Sequence, residues 1–257
     1  MTSARRYGGA GLRRSVRSPG GVVPSPGEID PTIFDCWVGN AGLAFATGDE
    51  TGGTLSSWTG QANGTILAID FSSPPNYAVD TGYFNGLLLP QTSTTGNRYF
   101  YSIDDADFPD HDPVYVGFLM RQKSANQFAS DVVGHGSKTL MLDTINITAG
   151  ERDKWRAKAT VASTVYTSSV PIDTPRSQDW VEVFYDAVAG DLVLRRNGTE
   201  VSRDAIPGPP DNTAPGLENF SLGWQSSAAF GLVVLSENAA AIANGPAFEA
   251  YARSIYG

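Results

Sequence analysis

Residues 180–201 read Trp180-Val-Glu-Val-Phe-Tyr-Asp186, a loop to Asp191 that contains Gly190, Leu192-Val-Leu-Arg-Arg196, Asn197-Gly198, and Thr199-Glu-Val201. The first run is aromatic and β-branched, the composition that suits a pleated and half-buried surface. The six residues from Asp186 to Asp191 fit a hairpin connection. Asn197-Gly198 tolerates the positive φ of a tight turn, so a third strand follows at once. Three consecutive antiparallel strands in about twenty residues predict an all-β architecture.

Reading outward from this segment strengthens the prediction. Val114-Tyr-Val-Gly-Phe-Leu-Met120 follows Pro113 and is nearly all apolar, as expected of a central strand covered on both faces. Further strands are expected at Lys154–Tyr166, Phe220–Trp224 and Phe230–Leu235. Turn-forming clusters recur at Ser72–Pro75, Pro171–Pro175 and Pro207–Pro215. Helix is scarce and late. Ser236 is placed to cap a short helix through Ala243, which Asn244-Gly245 ends, and Pro246 then opens a final helix with Phe248, Tyr251, Ala252 and Ile255 on one face.

Charge divides the chain. The first 27 residues hold Arg5, Arg6, Arg13, Arg14 and Arg17 and no acid; of 18 basic and 27 acidic side chains overall, this leaves 13 basic against 27 acidic beyond the arm, a formal charge of −14. Rich in Gly, Ser and Pro, the arm cannot bury enough apolar surface to order itself. Its paired arginines precede no apolar stretch of the length a secretory signal requires, so export by that route is not expected. No segment approaches the roughly 18 apolar residues of a membrane span, and a soluble chain is expected. Cys36 is the sole cysteine and has no internal disulfide partner.

The segments Trp58-Thr-Gly-Gln-Ala-Asn-Gly64 and Pro74-Pro-Asn-Tyr77, the hairpin ending in Asn197-Gly198, and the tail with Leu222-Gly-Trp224 and Phe230-Gly-Leu-Val-Val-Leu235 together resemble the concanavalin A-like, laminin-G-like jelly-roll superfamily over about residues 36–257. The resemblance implies a two-sheet antiparallel jelly-roll sandwich with a short C-terminal helix, preceded by an extended basic arm over residues 1–35. That superfamily spans lectins, glycosidases, adhesion modules and bacteriophage virion proteins, so fold alone does not select a function.

The glycosidases of the superfamily carry closely spaced acids on one strand, and hydrolysis needs carboxyl groups within about 5 to 9.5 Å. Glu182 and Asp186 share a face but lie four residues apart, roughly 13 Å, and read as two acids on a solvated strand. Asp104, Asp105, Asp107, Asp110 and Asp112 are a candidate calcium set, although their spacing matches no EF-hand and a solvated acidic loop is the simpler reading. His111 and His135 lie in different loops and suggest neither zinc nor a hydrolytic triad. Cys36 reads as a small packed hydrophobe. No phosphate-binding glycine loop is present. Trp58, Tyr77, Tyr83, Trp155 and Trp224 are candidate sugar platforms, with core packing the competing role of each.

The arm's five arginines are the candidate partner-binding residues. An acidic body opposes approach to nucleic acid phosphate, which favours an acidic protein surface over DNA. A lectin-type sandwich without a secretion signal fits a particle released by lysis. The expectation is therefore a non-enzymatic structural protein of a tailed-bacteriophage virion, made in the host cytoplasm. Its arm would anchor it to capsid or tail proteins as a homo-oligomer, displaying a jelly roll whose candidate ligands are host-surface glycans, with neither membrane nor organic cofactor. The alternatives are a carbohydrate-active enzyme or free lectin, and a cytoplasmic scaffold whose arm binds nucleic acid.

Overall fold

The computed structural model describes residues 23–69, 74–92, 100–102, 114–123, 130–135, 140–145, 154–162, 164–171, 177–210, 220–223 and 227–257. A single helical turn, α1 (Pro26–Ile29), leads into β1 (Asp35–Val38), β2 (Leu43–Asp49), β3 (Gly52–Thr59), β4 (Ile66–Ile69), β5 (Asn76–Val79), β6 (Leu88–Gln91) and β7 (Phe100–Ser102). There follow β8 (Tyr115–Gln122), β9 (Ser130–His135), β10 (Leu140–Ile145), β11 (Lys154–Val161), β12 (Thr164–Pro171), β13 (Asp179–Asp186), β14 (Asp191–Arg196), β15 (Thr199–Ala205), β16 (Phe220–Leu222) and β17 (Ala228–Ser236). The chain ends in α2 (Ala240–Tyr256).

Every pairing is antiparallel. One sheet runs β15-β14-β13-β8-β17, with β1 and then β6 sharing the far edge of β17 and β5 beyond β6. The other runs β2-β3-β4-β7-β16-β9-β10-β11-β12. β3 also pairs with β5, which joins the two sheets along one side. The all-β sandwich expected from the sequence is present.

The hairpin of residues 180–201 forms as read, with Asn197 at φ 49° and Gly198 at φ 72° in its second turn. The segment expected at Lys154–Tyr166 is two strands, β11 and β12, because Ala162 at φ 46° turns the chain back on itself. Within the stretch assigned to the arm, Pro26–Ile29 is helical and Ile33 is buried.

Two cores flank the first sheet. Val116, Phe118 and Met120 of β8, Val181, Val183 and Tyr185 of β13 and Trp37 of β1 face the second sheet, where they meet Trp58, Phe100, Leu142 and Trp155. Alternate residues Tyr115, Leu119, Trp180 and Phe184 point the other way and meet Phe248, Ala252 and Tyr256 of α2. The nearly continuous apolar runs of β8, β13 and β17 follow from this double coverage, since both parities of the pleat are removed from water. Each large apolar side chain so buried contributes about 1.5–3 kcal/mol.

The helix differs from the sequence reading. Residues 240–256 form one helix with Pro246 inside it, not two helices broken at Asn244-Gly245. Ala241, Gly245, Phe248, Ala252 and Tyr256 are buried along a single stripe, so packing on the sheet holds both halves in line despite the hydrogen bond that proline removes. Ser236 is the last residue of β17; its hydroxyl accepts from the Asn238 N–H at 3.0 Å, and Ala239 takes the N-cap position.

Candidate functional site

The stretch Trp58–Gly64 is organised by a carboxylate distant in sequence, that of Asp35. Asp35 is fully buried and accepts backbone N–H groups from Cys36 at 2.7 Å, Ala62 at 2.9 Å, Asn63 at 3.2 Å and Thr65 at 2.8 Å. Gly60 is required beside it, because a Cβ there would come within 2.1 Å of Asp35 Oδ2. The Asn63 amide donates to the Ile33 and Phe34 carbonyls, and the Trp37 indole donates to the Thr65 carbonyl at 3.2 Å. Asp35 is thus a loop clamp, occupied by the protein's own backbone.

Three of the five aromatic sugar-platform candidates are core residues. Trp58 has no exposed surface, and its indole N–H is shared between the Val38 and Ala41 carbonyls at 3.1 and 3.2 Å. Tyr77 is buried against Phe45 with ring centroids 5.5 Å apart, and Trp155 is buried among the inter-sheet side chains. A side chain enclosed in this way offers no face to a sugar. Tyr83 is half-buried and lies beneath the Arg121 guanidinium, 3.7 Å from its ring centroid, while Arg121 donates to both oxygens of buried Asp80 at 2.8 and 2.9 Å. Trp224, the arm arginines Arg5, Arg6, Arg13, Arg14 and Arg17, and the calcium candidates Asp104, Asp105, Asp107, Asp110 and Asp112 lie outside the described residues. Among the described residues, no group of three or more His, Cys, Asp and Glu side chains is arranged to hold a metal ion.

The expectation of a solvated Glu182 is corrected. Its side chain is 1% exposed, on the face of β13 that α2 covers, and a Cβ at Gly245 would lie 1.9 Å from its Oε1. The Tyr115 hydroxyl donates to it at 3.1 Å and Arg195 approaches at 3.5 Å. Burial pushes the Glu182 carboxyl above its ordinary pKa, with Glu249 adding to the rise and Arg195 and the Tyr115 hydrogen bond opposing it. Asp186 serves elsewhere: it accepts from the Val188 and Ala189 N–H groups at 3.1 and 3.2 Å and pairs with Arg203 at 3.0 Å. One acid is sealed under a helix and the other ties a turn, so they do not form a working pair.

The more open face is the outer side of the second sheet, on which no described helix packs, whereas α2 lies on β8, β13 and β17 of the first; Thr160 and Ala68 on that outer side are nonetheless buried. On β11 the residues Trp155, Ala157, Ala159 and Val161 are buried in the core. The alternate positions Arg156 and Lys158 therefore belong to the open face. Register places Lys158 between Met141 and Thr167, and Arg156 between Asp143 and Ser169. Farther along the sheet a neighbouring row runs Ala44, Ser57, Ala68, Tyr101, Ser221 and Gly134. The hairpin of residues 154–171 holds three basic residues and no acid, in a chain of net charge −9. The signal was present in the alternation Lys154-Trp-Arg-Ala-Lys-Ala-Thr-Val161, but only pairing with β10 and β12 shows that its basic parity faces outward.

No protein-family model matches the chain, and no curated protein matches it. Solved structures do. The binding domain of botulinum neurotoxin DC in complex with SialylT superposes with a TM-score of 0.55 at 7% identity, over 88% of this chain and 52% of that one. The binding domain of Paraclostridial Mosquitocidal Protein 1 gives 0.54 at 8% identity, over 88% and 53%. The CBM40 of the Ruminococcus gnavus IT-sialidase gives 0.41 at 16% identity, over 52% and 80%. This chain spans about half the length of the two toxin chains. With identities this low, what the chain shares with these two toxin binding domains is a fold.

Proposed function

We propose that this chain is a non-catalytic carbohydrate-binding domain that takes acidic glycans on the open face of its second sheet. The observation that carries the proposal is the basic row of Arg156 and Lys158 on that face of an otherwise acidic molecule. A sugar carboxylate brings a negative charge that the body as a whole repels, and this row is where approach is favourable. Arginine adds a fork that matches a carboxylate in two hydrogen bonds. The toxin domain of the same fold, solved with SialylT, supports a sialylated ligand.

Calorimetric titration with 3′-sialyllactose and with lactose tests the reading. Binding of the sialylated sugar, weakened by salt, is expected, with at least tenfold loss in the double variant R156A/K158A at unchanged melting temperature. Equal affinity for both sugars, or full affinity in the double variant, refutes it.

The arginine arm completes the proposal. Five arginines without an acid, joined to a body of formal charge −14, suit attachment to an acidic protein assembly, and a tailed-phage particle is the assembly that best unites an arm with a displayed sandwich. A chain lacking residues 1–22 is expected to fold and bind sugar but not to incorporate into particles. Normal incorporation of the truncated chain refutes the anchoring role.

A further inference from the structure

The sandwich has edges, and they are not alike. An unpaired strand edge is a template for another strand, and proteins blunt such edges with charge, proline or bulges. β15 carries Glu200, Arg203 and Asp204 exposed, and its pairing with β14 is interrupted by a bulge at Leu194/Arg195. β2 is broken by two register shifts against β3. β12 has neither charge nor bulge: it pairs with β11 through eight successive residues without a shift, and among the described residues it has no other strand partner. Its sequence Thr164-Val-Tyr-Thr-Ser-Ser-Val-Pro171 contains no charge and no glycine, and proline only at the end. Thr164, Val165 and Thr167 are exposed, Val165 at 43%.

We propose that β12 is a homotypic interface, through which two copies of this chain pair antiparallel about a twofold axis near Thr167. The occupant follows from charge and symmetry. Two molecules of net charge −9 repel at most orientations, but the β11–β12 hairpin has three basic residues and no acid. It is the side at which acidic copies meet without opposing carboxylates on the pairing strands. A twofold contact places the strand against its own image. With the axis at Thr167, Val165 meets Ser169 and Tyr166 meets Ser168, so no charged side chain opposes its like. On the adjacent edge Arg203 of β15 pairs with Asp186, Asp191 and Glu200 and offsets part of their negative charge. The Ser168 and Ser202 hydroxyls tie β12 to β15, holding the edge in place.

With the axis at Thr167 the paired segment runs from Thr164 to Val170, about 23 Å long. The dimer makes the two second sheets continuous and sets the β11 strands of the copies three strand spacings apart, roughly 14 Å. The pairing itself does not depend on the glycan reading. If that reading holds, two basic rows lie on one face and a multivalent acidic glycan engages both.

Sedimentation velocity of the full chain across a concentration series, without sugar, tests the interface. A species of twice the chain mass is expected to grow with concentration. T167K and V165K, substitutions at exposed positions, are each expected to weaken self-association at least tenfold with unchanged circular dichroism melting. A46K on the β2 edge is expected to leave it intact. A monomer at every concentration, a dimer that survives both β12 variants, or equal disruption by A46K overturns the proposal. Sugar titration of the V165K monomer separates the two readings, since Val165 is in register with Thr160 and not with Arg156 or Lys158: retained binding in a monomer leaves the glycan site standing while isolating the dimer contact.

Discussion

Replacing Asp35 with alanine removes the acceptor of four backbone N–H groups at 2.7–3.2 Å. Ala62 and Asn63 lie in an exposed loop, where water can take over their donors. Cys36 N–H and Thr65 N–H are buried, and each unsatisfied buried donor costs about 1–3 kcal/mol. Two such donors set a loss of about 2–6 kcal/mol for D35A, a large fraction of the 5–15 kcal/mol typical of a domain. Asp35→Asn is expected to cost less. It keeps a carbonyl oxygen where three of the bonds converge on Oδ1, and turns a donor toward only the Thr65 N–H. G60A adds an independent check, since its Cβ would press on the same carboxylate. Guanidinium unfolding followed by tryptophan fluorescence suits the measurement, because Trp37 donates to the Thr65 carbonyl of the clamped loop. The expected order of stability is wild type, D35N, D35A. A D35A midpoint and slope within error of wild type, or D35N less stable than D35A, would show that the clamp does not hold the loop.

The remaining predictions concern the helix-covered face and the cysteine. Because burial raises the folded-state pKa of Glu182, the stability tied to its protonated form is present below the ordinary value of about 4.5 and is lost as pH rises through the folded value. The gap in melting temperature between E182Q and wild type should therefore widen in favour of E182Q from about pH 4.5 upward. Tyr115, Arg195 and Glu249, the other groups facing it, are common to both proteins, and parallel profiles would refute the assignment. G245A should destabilise by about 1–3 kcal/mol through overpacking, although alanine is the better helix former; the loss should shrink in an E182A background, and a stabilised G245A would contradict the contact. Cys36, buried and with its thiol pKa pushed up to about 12 by burial and by Asp35, should resist a thiol-reactive disulfide reagent until the chain is denatured. Rapid labelling of the native protein would contradict its placement.

The hairpin of residues 180–201 was legible because its determinants are local. Aromatic and β-branched runs, a loop with Gly190 and the positive φ of Asn197-Gly198 all act within a few residues. The double coverage of β8 was legible for a related reason, since an unbroken apolar run leaves neither parity for water. The candidate site was less so. Trp58, Tyr77 and Trp155 have the composition of a sugar platform and the location of a core, and nothing in their immediate neighbours distinguishes the two. Glu182 alternates with apolar residues in the manner of a solvent-facing position, but a helix sixty residues later covers that face.

Composition and local pattern alone determined that this is an acidic β protein with a basic arm, turns at identifiable glycines and an apolar C-terminal stripe. Tertiary structure decided what each face meets. It carried one helix through Pro246, buried Glu182 beneath Gly245, closed Asp35 around the loop at residues 60–65, and placed Arg156 and Lys158 on the sheet face that α2 does not cover. The reason is physical: propensity and periodicity act over one turn or one strand, whereas burial, hydrogen-bond satisfaction and the sign of the local field depend on side chains brought together from distant parts of the chain.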